Sequence, residues 1–141
     1  MFNKDCFLDH VAIAVSNLDR AQKVYEDLGL SFQGPREVVE SQKVTTAFAH
    51  IDEHAHIELI CPLNGEGPVQ KFIEKNGEGI HHLCFKVPDI DKKCEEMKSL
   101  GYKLIYDRPF MGANNCMVNF VHPKSTGGVL IEISQTIKPL E

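Results

Sequence analysis

The sequence has no apolar run long enough to cross a bilayer, no cysteines at paired spacing, no low-complexity tract and no excess of basic charge. Each absence removes a class of function. A membrane helix needs about 20 consecutive apolar residues, so no membrane partner is expected, and no signal peptide is read at the start of the chain. Five cysteines (Cys6, Cys61, Cys84, Cys94 and Cys116) make an odd number, which argues for buried, reduced thiols in a cytoplasmic protein rather than a disulfide framework. With 15 Lys and Arg against 20 Asp and Glu, the net charge is −5, and a nucleic-acid binder would carry a basic surface instead.

What is present is a repeat. Asp9-His10-Val11-Ala12-Ile13-Ala14-Val15 aligns with His81-His82-Leu83-Cys84-Phe85-Lys86-Val87, an offset of 82 − 10 = 72. The same offset sets Leu28-Gly29 on Leu100-Gly101 and Phe48-Ala49-His50 on Phe120-Val121-His122. With a drift of two residues, Ile57-Glu58-Leu59 falls on Ile131-Glu132-Ile133, since 132 − 58 = 74. A self-similar chain is read as repeated structural units before anything else. At 141 residues and 43% hydrophobic composition, the two units are expected to share one domain spanning 1–141. The first module covers about 1–63, a linker with a short helix 64–78, and the second module about 79–141.

Each module reads as βαβββ. Phe7–Val15 is a largely buried strand by its run of apolar and β-branched residues. Ser16 or Asn17 can cap a helix on which Leu18, Ala21, Val24, Tyr25 and Leu28 recur at helical spacing, stopped by Gly29. Strands follow at Ser31–Val39, Lys43–Ala49 and His54–Cys61. In the second module Ile80–Val87 is the strand, and Asp89 caps a helix lined by Ile90, Cys94 and Met97 and stopped by Gly101. The later strands are Lys103–Arg108, Cys116–Val121 and Val129–Ser134, separated by turns at Gly112-Ala113-Asn114-Asn115 and Ser125-Thr126-Gly127-Gly128. Pro68 suits the first turn of the linker helix, with Val69, Phe72 and Ile73 on its apolar side. The expected fold is α+β, with two tandem βαβββ modules whose sheets enclose a metal-containing cleft.

The repeat supplies that cleft's chemistry. One histidine near the start and one glutamate near the end of each module make His10, Glu58, His82 and Glu132 a candidate ligand quartet. Imidazole nitrogen with carboxylate oxygen suits Co²⁺, Zn²⁺, Ni²⁺, Mn²⁺ or Fe²⁺ without choosing among them. The absence of cysteine from the quartet argues for an open site rather than a closed structural zinc. His54 and His56 alternate with Glu58 on one strand face but have no equivalents in the second module. His81 points away from His82 and reads as structural or exposed. His50 and His122 lie at strand ends, where they can reach a substrate.

The paired modules with His10, Glu58, His82 and Glu132 resemble the vicinal oxygen chelate superfamily, which includes glyoxalase I, extradiol dioxygenases and fosfomycin-resistance enzymes. The closer resemblance is to the methylmalonyl-CoA epimerase family. It rests on residues 9–15, on Glu58-Leu59-Ile60-Cys61-Pro62-Leu63, on Lys75-Asn76-Gly77-Glu78-Gly79-Ile80-His81-His82 and on His122-Pro123-Lys124-Ser125-Thr126-Gly127-Gly128-Val129-Leu130-Ile131-Glu132. The resemblance implies an acyl-CoA substrate, epimerised at C2 through a metal-stabilised enolate, one divalent ion per chain (Co²⁺ or Zn²⁺ ahead of Ni²⁺ or Mn²⁺) and a homodimer. Glu132 and Glu58 are then the acid-base pair, while Lys124, Ser125 and Thr126 meet the substrate. Lys71, Lys75, Arg108 and Lys124 are candidates for the CoA phosphates. Some family members use a glutamate of the third strand as a base, whereas Lys43–Ala47 here holds no carboxylate. The alternatives are glyoxalase I (lactoylglutathione lyase), an extradiol dioxygenase using His10, His82 and Glu132 on Fe²⁺, and a non-catalytic binding protein.

Overall fold

The structure is a computed structural model and describes residues 5–138. By their internal contacts the described residues divide into two compact units, one of residues 10–81 and the other of residues 5–9 with 82–138. Strands β1 (Phe7–Ala14), β2 (Glu37–Val39), β3 (Val44–His50) and β4 (His56–Pro62), with helices α1 (Leu18–Asp27) and α2 (Pro68–Asn76), make the first half. Strands β5 (Gly79–Lys86), β6 (Phe110–Met111), β7 (Cys116–Val121) and β8 (Ile131–Thr136), with helix α3 (Ile90–Ser99), make the second. Among the described residues no helix is long and apolar enough to cross a membrane.

The halves share one topology. In the first the strand order is β2-β3-β4-β1, with β1 and β4 parallel. In the second it is β6-β7-β8-β5, with β5 and β8 parallel. Parallel neighbours need a crossover, and α1 and α3 begin it. Asn17 caps α1 by accepting the Arg20 N–H at 3.0 Å, and Asp89 caps α3 by accepting the Lys92 N–H at 3.1 Å. Each helix ends before a glycine in the left-handed region, Gly29 at φ 111° and Gly101 at φ 93°, where a side chain would be strained.

Alternation along the strands sorts residues onto two faces. On the helix side of the first half, Val15, Leu18, Ala47 and Leu59 form a buried cluster with Ala21, Tyr25 and Ile57 against it. Its counterpart in the second half is Val87, Ile90, Cys94, Val121 and Ile133, with Met97 and Leu104 against it. Burying such side chains contributes about 2 kcal/mol each. The helical face expected for α1 is narrower than its spacing suggested, because Val24 and Leu28 are exposed.

The second strand of each module is a correction. The segment expected as Ser31–Val39 is an isolated bridge at Phe32 followed by the short β2, and Lys103–Arg108 is an isolated bridge at Leu104 followed by β6. Pro35 interrupts the first run, and proline lacks the N–H that a ladder requires; in the second, regular pairing stops at Leu104 and the Tyr106 backbone bonds to the Asn119 side chain instead of to a strand. None of the five cysteines forms a disulfide.

Candidate functional site

The strand faces opposite the helices carry the candidate ligand residues. In the first half Glu58 on β4 lies between Ala12 of β1 and Phe48 of β3 in the ladder. In the second, Glu132 on β8 lies between Cys84 of β5 and Phe120 of β7. His10 and His82 are two residues earlier than Ala12 and Cys84, so each histidine shares a face with its glutamate. His10 Nε2 is 2.9 Å from Glu58 Oε2, and His82 Nε2 is 3.9 Å from Glu132 Oε2. His10, Glu58 and His82 are buried at 7%, 8% and 7% exposure, which rules out solvated edge positions for them. Both imidazole–carboxylate pairs are therefore assembled, and their donor atoms are those that borderline divalent ions accept.

Around these pairs the two halves differ. The His10 ring is tilted against His56 at a centroid distance of 5.1 Å, and His56 also meets Phe48 and His50. His82 instead meets Phe120 edge-on at 5.8 Å, and Phe120 is followed by Tyr106 and Phe110 in an aromatic series. That series hangs on a residue the sequence reading passed over. Asn119, fully buried, accepts the Tyr106 N–H through Oδ1 at 3.3 Å and donates to the Tyr106 carbonyl through Nδ2 at 3.0 Å. An asparagine on the helix side of a strand, in a position where the first half has Ala47, was the signal available.

Lys86, two residues beyond Cys84, was also not singled out. Its ammonium lies 3.4 Å from Asp9, donates to Thr136 Oγ1 at 2.7 Å and approaches Cys116 Sγ at 3.6 Å. Burial works to lower its pKa, but Asp9 and then Cys116 outweigh it and leave the pKa raised, so the amine is held charged.

The remaining predicted residues fall as follows. His81 packs edge-on against Phe72 of α2 at 4.8 Å; burial lowers its pKa, opposed by the Glu58 charge. His122 is a cap, its Nδ1 accepting the Lys124 N–H at 3.0 Å. Ser125 Oγ accepts the Lys103 N–H at 2.9 Å, and Thr126 Oγ1 accepts the Val129 N–H at 3.0 Å while its single O–H faces the Pro123 and Val129 carbonyls as acceptors. Both side chains line a cavity of about 470 Å³ with Phe85, Val87, Ile131 and Ile133, the helix-side residues. Lys71, Lys75, Arg108 and Lys124 are exposed. Glu40, exposed in the 3₁₀ turn Glu40–Gln42, is the carboxylate nearest in sequence to the start of β3.

Residues 9–120 match the family model described as the glyoxalase/bleomycin resistance protein/dioxygenase superfamily. Among similar proteins, the mitochondrial methylmalonyl-CoA epimerase of Dictyostelium discoideum is 37% identical over 130 residues, covering 91% of this chain and 77% of that protein. The ethylmalonyl-CoA/methylmalonyl-CoA epimerase of Cereibacter sphaeroides is 37% identical over 131 residues, covering 91% and 96% respectively. The crystal structure of methylmalonyl-CoA epimerase from Mycobacterium tuberculosis superposes with a TM-score of 0.88 at 36% identity, covering 98% of this chain and 94% of that one.

Proposed function

The chain belongs to the glyoxalase/bleomycin resistance protein/dioxygenase superfamily and, within it, to the methylmalonyl-CoA epimerase family, and we propose that it interconverts the C2 epimers of methylmalonyl-CoA. The observation that carries this reading is the duplicated imidazole–carboxylate pair, His10 with Glu58 and His82 with Glu132, at equivalent positions of two equivalent ladders.

In this reading the four side chains hold one divalent ion. Their chemistry fits: two imidazole nitrogens and two carboxylates suit Co²⁺ or Zn²⁺ first, with Ni²⁺ or Mn²⁺ also accommodated. When bound, such an ion supplies Lewis-acid polarisation of a thioester carbonyl. The protein's part is to move a proton. Epimerisation removes the C2 proton on one face of the substrate and returns one on the other, which calls for an acid-base group on each side. Glu132 is the first assigned and Glu58 the second. A carboxylate has two oxygens, so one can face an imidazole or an ion while the other takes the proton. Lys124 offers a charge to the anionic acyl-CoA, and Ser125 and Thr126 hold the shape of the loop that presents it. The reading also makes the protein a homodimer, and a cytoplasmic one in keeping with an odd number of cysteines without paired spacing.

The test is proton NMR in D₂O on single-epimer methylmalonyl-CoA, with metal-stripped protein and again after adding Co²⁺ or Zn²⁺. Metal-dependent exchange at C2 with growth of the other epimer is expected. No exchange with any metal, together with turnover of the methylglyoxal–glutathione adduct, would replace this function by that of glyoxalase I.

A further inference from the structure

Three histidines of the first half stand in file. His10 on β1 is the ladder partner of His56 on β4, and His56 is the ladder partner of His50 on β3. Ring centroids are 5.1 Å apart for the first pair and 5.8 Å for the second. Nitrogen atoms of His10 and His56 lie within 4.8 Å of each other. His10 is buried, His56 half-buried and His50 exposed, so the file runs from the interior to the surface.

The hairpin that carries the outer pair is fixed by its own loop. Asp52 accepts the His54 and Ala55 N–H groups at 2.8 and 2.7 Å, and the Ile51 and Asp52 N–H groups both donate to the Ala55 carbonyl. Directly opposed residues of an antiparallel pair have Cβ atoms about 5 Å apart, a span across which two imidazoles can turn toward one ion. Asp52 and Glu53, both exposed on that loop, add negative potential near the exposed histidine. The second half has no counterpart: its equivalents of His50 and His56 are His122, which caps a turn, and Leu130, which has no donor atom in its side chain. The pair is therefore not a by-product of the repeat.

We propose that His50 and His56 form a second transition-metal site, taking a borderline divalent cation such as Zn²⁺, Ni²⁺ or Cu²⁺ from solution, with water completing its coordination. Imidazole nitrogen donors favour such borderline ions over Mg²⁺ and Ca²⁺, which prefer oxygen. Because His56 also neighbours His10, an ion taken up at the surface is delivered beside the buried His10–Glu58 pair. The site does not depend on the epimerase reading, since its ligands lie outside the four residues assigned above.

The experiment titrates the chelator-stripped full chain with Zn²⁺ against a chromophoric chelator, beside His50→Ala and His50→Gln, with far-ultraviolet circular dichroism to check the fold. His50 is exposed, so both variants are expected to fold as the parent. The wild type should bind about one more Zn²⁺ per chain than either variant, and added Cu²⁺ should broaden the His50 and His56 ring protons first. An unchanged count in both variants overturns the proposal. If the wild type binds one ion and His50→Ala none, the outer site stands and the four-ligand reading falls. If the count drops from two to one, both stand.

Discussion

In the first half, the ladder around Glu58 is lined by alanine: Ala12, Ala14 and, on the helix side, Ala47, all nearly or wholly buried. The second half places Cys84, Lys86 and Asn119 at the equivalent positions. The histidines diverge the other way, with His50 and His56 facing each other in the first half and a capping His122 and Leu130 in the second. The imidazole–carboxylate pair is common to both, although its separation is 2.9 Å in one and 3.9 Å in the other. A ladder can thus keep the histidine, the glutamate and one phenylalanine neighbour, Phe48 or Phe120, while the alanines and the outer histidines around them change. What the neighbours supply differs in kind: nitrogen donors beside Glu58, and an aromatic wall of Phe120, Tyr106 and Phe110 beside Glu132.

The largest test of that contrast is to neutralise each carboxylate. Glu132→Gln is expected to lower kcat by about 10³-fold and Glu58→Gln by about 10²-fold, within the range for loss of an acid-base group. Steady-state epimerisation and single-face C2 exchange in D₂O would be measured together. If each glutamate serves one face, each variant loses exchange from one epimer more than from the other. Full activity in Glu58→Gln would sink its assignment, and a collapse in Glu40→Gln beside it would move the second base to the turn before β3.

Next in size is the clamp that the first half lacks. Asn119 satisfies both backbone groups of Tyr106 from a fully buried position. Asn119→Ala removes both bonds and leaves polar backbone near the interior, at a cost of about 2–3 kcal/mol. Urea denaturation should show that loss. Tyr106 and Phe110 would also lose their fixed placement against Phe120, so KM for an acyl-CoA substrate should rise in this variant and not in a core variant of equal stability such as Leu59→Val.

How far these features could be read in the sequence follows from their range. Strand faces, helix caps and stops, and the ligand pairs depend on short periodicities and on an internal repeat, all visible along one chain. The repeat paired His10 with His82 and Glu58 with Glu132 along the chain, while the shared face of each histidine and glutamate is a property of the ladder register. The second strands are shorter than expected because Pro35 breaks the first run and, in the second, Asn119 from a distant strand takes up the Tyr106 backbone. Lys86 was missed for a different reason. Its partners Asp9, Cys116 and Thr136 come from three separate strands, and no local pattern announces such a meeting. Lys86→Met should cost about 2 kcal/mol, less than a fully buried pair, since the Lys86 and Asp9 side chains keep 20% and 16% exposure. Its raised pKa means that this stabilisation is fully present below the ordinary lysine value and disappears as pH rises through the higher folded one. The loss in the variant should therefore be constant across neutral pH.

The smallest expected effect separates the two strand-to-helix turns. In the first half, Ser16 donates both its N–H and its hydroxyl to Glu78 Oε1 at 2.7 Å, and Arg20 joins from α1 at 3.3 Å. The repeat puts Pro88 at the position of Ser16, and proline has no N–H to give. The second turn is tied instead by the Ile90 N–H donating to the Gln135 side-chain oxygen at 2.9 Å. One turn is thus held by an ionisable group and the other by an amide. The bonds from Ser16, backbone first, and the Arg20 charge lower the Glu78 pKa below its ordinary value near 4.5. A depressed carboxylate stabilises the fold above its unfolded pKa, and that contribution disappears as pH falls through the folded value. Because the group is largely exposed, the contribution is about 1 kcal/mol after solvent screening. Glu78→Gln should therefore lose that amount at pH 7 and nothing below the depressed pKa, so the two stability curves converge in acid. Gln135→Ala should lose a similar amount at every pH. Parallel curves for Glu78→Gln and the parent would mean that the carboxylate's charge plays no part in holding the first turn, and that the two turns are tied by hydrogen bonds of the same neutral kind.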